Sequence, residues 1–307
     1  MTLPAEHVLH DADDAAAERA RAAAARVRAA TSHGSRARQP ALAGSKVAAR
    51  RRRAHAEDEF GLDPQFRERL LPIFQLLYEK YWRVDARGAR NVPRRGPTIL
   101  VANHSGALPF DATMIACALH AAGQPRATRF LYDRFVENLP YLPQLYQRVG
   151  GVLASRTNAE RLLRNGELVG LFPEGVAGLS KLFSERYVLQ PFSSGFVRLA
   201  LRHRAPIVPV AVIGAEEIYP LVGRVRAISK LVGVPYLPVT PFFPLLGPLG
   251  MIPLPTKWTI RFGKPIVLDA PPRRSHDTVA VRAMAEQIRV RVQQMVRALL
   301  RRRDGVF

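Results

Sequence analysis

Acidic residues are scarce in this 307-residue chain: 25 Asp and Glu stand against 46 Lys and Arg, a formal net charge of +21. Such an excess asks for an anionic partner or surface. The basic residues form no nucleic-acid module, and no aromatics alternate with them as a stacking platform requires. An anionic lipid surface accounts for the same excess, at roughly 1 kcal/mol per nearby Lys or Arg, and a solvated, arginine-rich surface accounts for part of it. Cysteine is almost absent. Cys117, the single one, excludes an intrachain disulfide, and within the apolar run Ala112–Leu119 it reads as a small buried hydrophobe, not a nucleophile. No leader-like apolar centre opens the chain, since Ala22–Ala25 is flanked by Arg19, Arg21, Arg26 and Arg28. These features point to the cytoplasmic side.

Long apolar runs free of helix breakers are missing too. Leu231–Thr256 has no charged residue but carries seven prolines, which forbid a regular transmembrane helix. A flap over an apolar ligand, a segment dipping into a membrane interface, or a loop packed on the protein's own core remain for it.

What is present divides the chain in two. Residues 1–55 are low in complexity and end in Arg50–Arg53, the composition of a disordered basic arm. Residues 56–307 carry the folded domain. Pro64–Val84 has apolar residues at helical spacing, including Tyr78, Tyr81 and Trp82. From Thr98 onward, strand-like runs (Thr98–Ala102, Thr128–Leu131, Gly151–Ala154, Leu168–Phe172, Ile207–Ile213, Trp258–Phe262) alternate with helix-like ones (Ala112–Ala121, Asn158–Arg164, Phe192–Arg202). The alternation predicts an α/β domain: a mostly parallel central sheet flanked by helices, with an amino-terminal amphipathic helix. A basic amphipathic helix, Thr278–Arg303, follows.

Chemistry concentrates where two of these strands end. Asn103-His104-Ser105 follows the first, with Asp111 shortly after; Phe172-Pro173-Glu174-Gly175 closes the fourth. Open α/β sheets place their reactive groups at such carboxyl ends. A histidine is the natural base near neutral pH, and a carboxylate on its far nitrogen would fix its tautomer. Ser105 adjoins His104, but no nucleophile-elbow motif surrounds it. No metal cluster is visible.

Four blocks in order, NHSGALPFD (Asn103–Asp111), GGVLASR (Gly150–Arg156), FPEG (Phe172–Gly175) and IVPV (Ile207–Val210), resemble the glycerolipid acyltransferase superfamily, whose members move a fatty acyl chain from a thioester to a lipid hydroxyl. The likeness spans about Phe60 to Pro265. Gly214–Pro220 (GAEEIYP) and Arg186–Leu201 look closer to the monoacylglycerol and diacylglycerol acyltransferase branch. One departure stands out: the family block has four residues between histidine and aspartate, whereas six intervene here and Pro109 takes the usual aspartate position. Either a lengthened turn returns Asp111 to His104 or another carboxylate orients the ring. The first is favoured, because proline suits a turn or a first helical position.

The resemblance implies His104 as general base and Asp111 as its partner. It implies Arg156, Glu174 and Gly175 around the acceptor, Glu174 binding a hydroxyl or supporting Arg156. Asn103, Pro173 and Pro209 are then structural, Pro209 shaping a strand end near the site, and backbone amides around Ser105 and Gly106 are the candidate oxyanion donors. No cofactor is implied beyond acyl-CoA or acyl-carrier-protein as co-substrate. The implied partners are a lipid acceptor and an anionic membrane surface bound peripherally at its inner face, with no specific nucleic acid. The alternatives are a non-catalytic anionic-membrane or nucleic-acid binder on the same scaffold and, third, an acyl thioesterase.

Overall fold

A computed structural model describes residues 57–105, 108–225 and 237–307; the expected basic arm lies outside them, as does Gly106. Seven strands form the main sheet: β1 (Asp85–Arg87), β2 (Thr98–Ala102), β3 (Thr128–Tyr132), β4 (Val152–Leu153), β5 (Leu168–Leu171), β6 (Ile207–Ile213) and β9 (Thr259–Phe262). Their order is β1-β9-β6-β2-β5-β3-β4. Every pairing is parallel except β6 with β9. A separate two-stranded antiparallel sheet pairs β7 (Gly223–Val225) with β8 (Leu237–Val239).

β2 and β6 are buried along their whole length, as central parallel strands must be when helices cover both faces. Their side chains alternate. Leu100, Ala102, Val208 and Val210 point to one face, packed with α2 (Phe110–Ala121) and the partly buried Phe74 of α1 (Pro64–Leu76). Ile99, Val101 and Ile207 point to the other, beneath α4 (Arg156–Arg164), α6 (Gly195–His203) and α7 (Thr278–Leu300). Two shorter helices, α3 (Leu142–Arg148) and α5 (Val176–Leu179), are the remaining α-helices among the described residues. Helix starts are set by side chains accepting free amides: Asp63 from Phe66, Ser155 from Asn158 and Asp277 from Ala280.

The single helix expected over Pro64–Val84 differs in its last turns. α1 ends at Leu76 and widens into a π turn, Leu77–Tyr81, in which Trp82 N–H reaches Leu77 O. Trp82 is fully buried, stacked on Trp258 at 5.0 Å and edge-on to Phe110 at 4.9 Å. Each such buried aromatic contributes on the order of 1.5–3 kcal/mol through burial alone. The same turn anchors the proline-rich stretch: Tyr81 Oη donates to Pro253 O and Trp82 Nε1 to Leu254 O. No helix among the described residues is long and apolar enough to cross a membrane.

Candidate active site

β2, β5 and β6 run parallel, so Asn103-His104, Phe172–Gly175 and Gly214–Glu217 gather at one end of the sheet. Asn103 makes the turn there possible. Its buried amide donates to Val212 O at 2.9 Å and accepts from Val212 N at 2.8 Å. The side chain thus supplies one more rung after the β2 backbone has left the ladder, and His104 follows directly.

His104 Nδ1 lies 2.6 Å from Asp111 Oδ2. The two additional residues are absorbed by a turn in which Pro109 caps α2 and Asp111 sits in its first turn, where the helix end favours a negative charge. Asp111 is completely buried. Its Oδ2 also accepts from Ser105 N at 3.1 Å, and Oδ1 accepts from Ala112 N at 2.8 Å. A carboxylate bound on three sides cannot rotate away. The imidazole is held in its plane as well, stacked on Phe172 at 4.1 Å, which stacks on Phe130 at 5.6 Å. Gly170 leaves room for this column, because a Cβ there would fall 2.4 Å from the Phe130 ring.

Glu174 lies beneath the turn. Its buried carboxylate accepts from His104 N at 2.9 Å and from Gln190 N at 2.7 Å. The expected support of Arg156 is not the arrangement found: Arg156 opens α4 and pairs with Glu160 at 3.0 Å, its side chain 71% exposed. Gly175 adopts φ +55°, ψ −143°, a conformation suited to glycine. Pro173 O accepts from Ser193 N, tying this turn to the start of α6.

Pro209 departs from the sequence expectation. It is the third residue of β6, paired with Val101, not a strand end beside His104. Ile207 N and O both bond Ile266, so the nitrogen of residue 209, two positions on, faces the same flank. β9 ends there at Phe262, and although Gly263 N still donates to Pro209 O, the missing N–H falls past the last strand pair and away from β2.

A cavity of about 1070 Å³ opens at His104 and reaches Arg156, at the upper end of the roughly 300–1,000 Å³ usual for small-molecule sites. Apolar side chains dominate its walls, among them Leu71, Phe74, Leu108, Phe130, Leu145 and Phe196. Cys117 lies in the wall, its thiol pushed up to about 11 by burial, and stays protonated at neutral pH. None of the described residues of the proline-rich stretch, 237–256, lines this cavity.

Sequence reasoning passed over several residues of this shell. Gly178 packs so closely that a Cβ would lie 2.7 Å from Glu174 Cβ and 3.0 Å from His104 Cβ. Lys181 carries no signal in the sequence. Gln190, Glu216 and Glu217 fell within stretches noted only for their branch-like look.

An acyltransferase family model matches residues 83–213, which include His104, Asp111, Arg156, Glu174 and Pro209. An uncharacterised protein of Mycobacterium tuberculosis is 42% identical over 257 residues, covering 82% of this chain and 72% of that one. The chain belongs to the glycerolipid acyltransferase superfamily. Consistent with membership in this acyltransferase family, the human DGAT1/2-independent enzyme synthesizing storage lipids is 25% identical over 167 residues, 52% of this chain and 50% of that one. The fold resembles the crystal structure of the 1-acyl-sn-glycerophosphate (LPA) acyltransferase PlsC from Thermotoga maritima. Its TM-score is 0.51 at 18% identity, over 85% of this chain and 90% of that chain.

Proposed function

We propose that this acyltransferase moves a fatty acyl chain from an acyl thioester, on coenzyme A or acyl-carrier-protein, to a hydroxyl of a glycerolipid or related lipidic alcohol. The observation that carries the reading is a histidine whose Nδ1 is held by a buried aspartate at the wall of a large apolar cavity. With Nδ1–H donated to Asp111, Nε2 is the unprotonated nitrogen. It takes the proton of the acceptor hydroxyl as that oxygen attacks the thioester carbonyl. The C–O bond forms, the C–S bond breaks, and the thiolate recovers the proton from His104. No acyl-enzyme and no cofactor enter the scheme. Arg156, exposed at the cavity, suits an anionic group of acceptor or donor.

The reading includes peripheral binding at the cytoplasmic face of a membrane, where these acyl carriers are found. It is supported by the net charge and by an apolar tip at Phe242, Leu245, Leu246, Leu249 and Ile252, all exposed. In the decisive experiment, purified protein is given labelled acyl thioester with lysophospholipid and acylglycerol acceptors. Transfer is expected from the wild type and not from His104→Ala, whose circular dichroism should be unchanged. Full activity in that variant would overturn the mechanism.

A further inference from the structure

The cavity wall stops at Glu174, but the contacts do not. Behind it lies a line of buried charges outside the cavity wall. Lys181 Nζ stands 3.3 Å from Glu174 Oε2 and 2.8 Å from Glu216 Oε1, with the three side chains no more than 5% exposed. Glu216 Oε2 accepts from Tyr187 N at 2.8 Å. Glu217, the next residue, is gripped by both terminal nitrogens of Arg303 at 2.7 and 2.6 Å. Gln293 of α7 accepts from Leu189 N and donates to Tyr187 O. The strap Tyr187–Gln190 is therefore fixed from α7 and from the turn after β6, and its last amide is one of the two that Glu174 accepts.

Every group that faces the Glu174 carboxylate is a donor: the amides of His104 and Gln190 and, at 3.3 Å, the Lys181 ammonium. A neighbouring cation adds to these amide donors in offsetting the burial of a carboxylate. We infer that Lys181 is a positioning residue for the transfer reaction: its ammonium, seated by Glu216, keeps Glu174 an acceptor for both amides and so holds the His104 backbone in register with Asp111. Lys181 itself lines no part of the cavity. The group of three carries two carboxylates on one ammonium, and burial raises the Glu216 carboxyl above its ordinary value even against the pull of Lys181. Loss of the lysine leaves two uncompensated buried carboxylates, while loss of Glu216 as well leaves one, the same net charge as the wild type.

This inference rests on His104 as the base, and the test separates the two. Lys181→Met and the double variant Lys181→Met/Glu216→Gln are compared with wild type, full chain, for kcat, KM and thermal midpoint. Lys181→Met is expected to lose roughly 10²-fold in kcat, the scale of an ångström-size misplacement, with KM for both substrates little changed. The double variant is expected to regain the thermal midpoint but not kcat, since Glu174 still lacks its cation. Recovery of kcat together with stability would make Lys181 merely structural and overturn the inference, as would wild-type kcat in the single variant. If the single variant does not fold, the double variant decides alone: folded and slow supports the inference, folded and fully active defeats it. Activity retained in His104→Ala would instead strike at the base, whatever Lys181 does.

Discussion

At the scale of single residues, Asp111 has to satisfy three donors: His104 Nδ1–H and the amides of Ser105 and Ala112. Asn in its place offers one oxygen and brings two protons of its own. Asp111→Asn is therefore expected to lower kcat by about 10²–10⁴-fold, the usual range for a disturbed acid–base group, while KM for the acceptor stays near the wild-type value. Steady-state kinetics across acceptor concentration check this, and a fully active variant would mean that another group orients the ring. The lengthened spacing still lets the two side chains meet, because a cap at Pro109 and a helical first turn bring residue 111 back to residue 104. That much was legible from the proline. Gly178 was not, because nothing in a sequence reveals that a glycine makes room for two side chains distant along the chain. Lys181 was hidden for the same reason: its partners lie at positions 174 and 216.

Among the elements, β2 and β6 were readable to the residue, since unbroken apolar runs between turn residues allow no other buried arrangement. β1, β7 and β8, three residues each, are too short to carry a period. β9 was read as a strand, but its reversed direction follows from the path of the chain across the sheet end, which composition does not encode. The described part of the proline-rich stretch was legible as holding no regular α-helix, while its short 3-10 turn, Gly247–Met251, was not. Its tip presents Leu245, 83% exposed, and Leu249, 69% exposed, on a segment pinned to the buried Trp82. Apolar side chains on a fixed support suit shallow insertion between lipid headgroups. Leu245→Glu/Leu249→Glu should lower sedimentation with anionic vesicles while sparing turnover of detergent-dispersed substrate. Equal sedimentation of wild type and variant would remove this tip from the membrane reading.

For the molecule as a whole, the few acidic residues are placed to matter. Burial pushes the Asp58 carboxyl up, but the bond and charge of Arg129 and the amides of Leu62 and Phe60 outweigh it and hold it below its ordinary value. Bonding to arginines likewise depresses Asp63 and Glu160. A carboxylate with a lowered folded-state pKa adds stability above its ordinary value, and that stability is lost as pH falls through the folded value. The thermal midpoint should therefore drop as pH is lowered through and below the ordinary carboxylate range, and Asp58→Asn should flatten that decline. An identical acid limb in the variant would exclude Asp58 as a contributor. The bonds that frame His104 also have a consequence in time. Asn103 waits for Val212, 109 residues downstream, and Leu189 waits for Gln293, 104 residues downstream. Pairings this distant in sequence close late and slowly. While a ribosome is still adding residues before 293, the sheet can assemble around β2, β5 and β6, but the strap above Glu174 has no support from α7. The histidine is synthesised well before these partners and acquires its complete setting only once residue 293 has joined the fold.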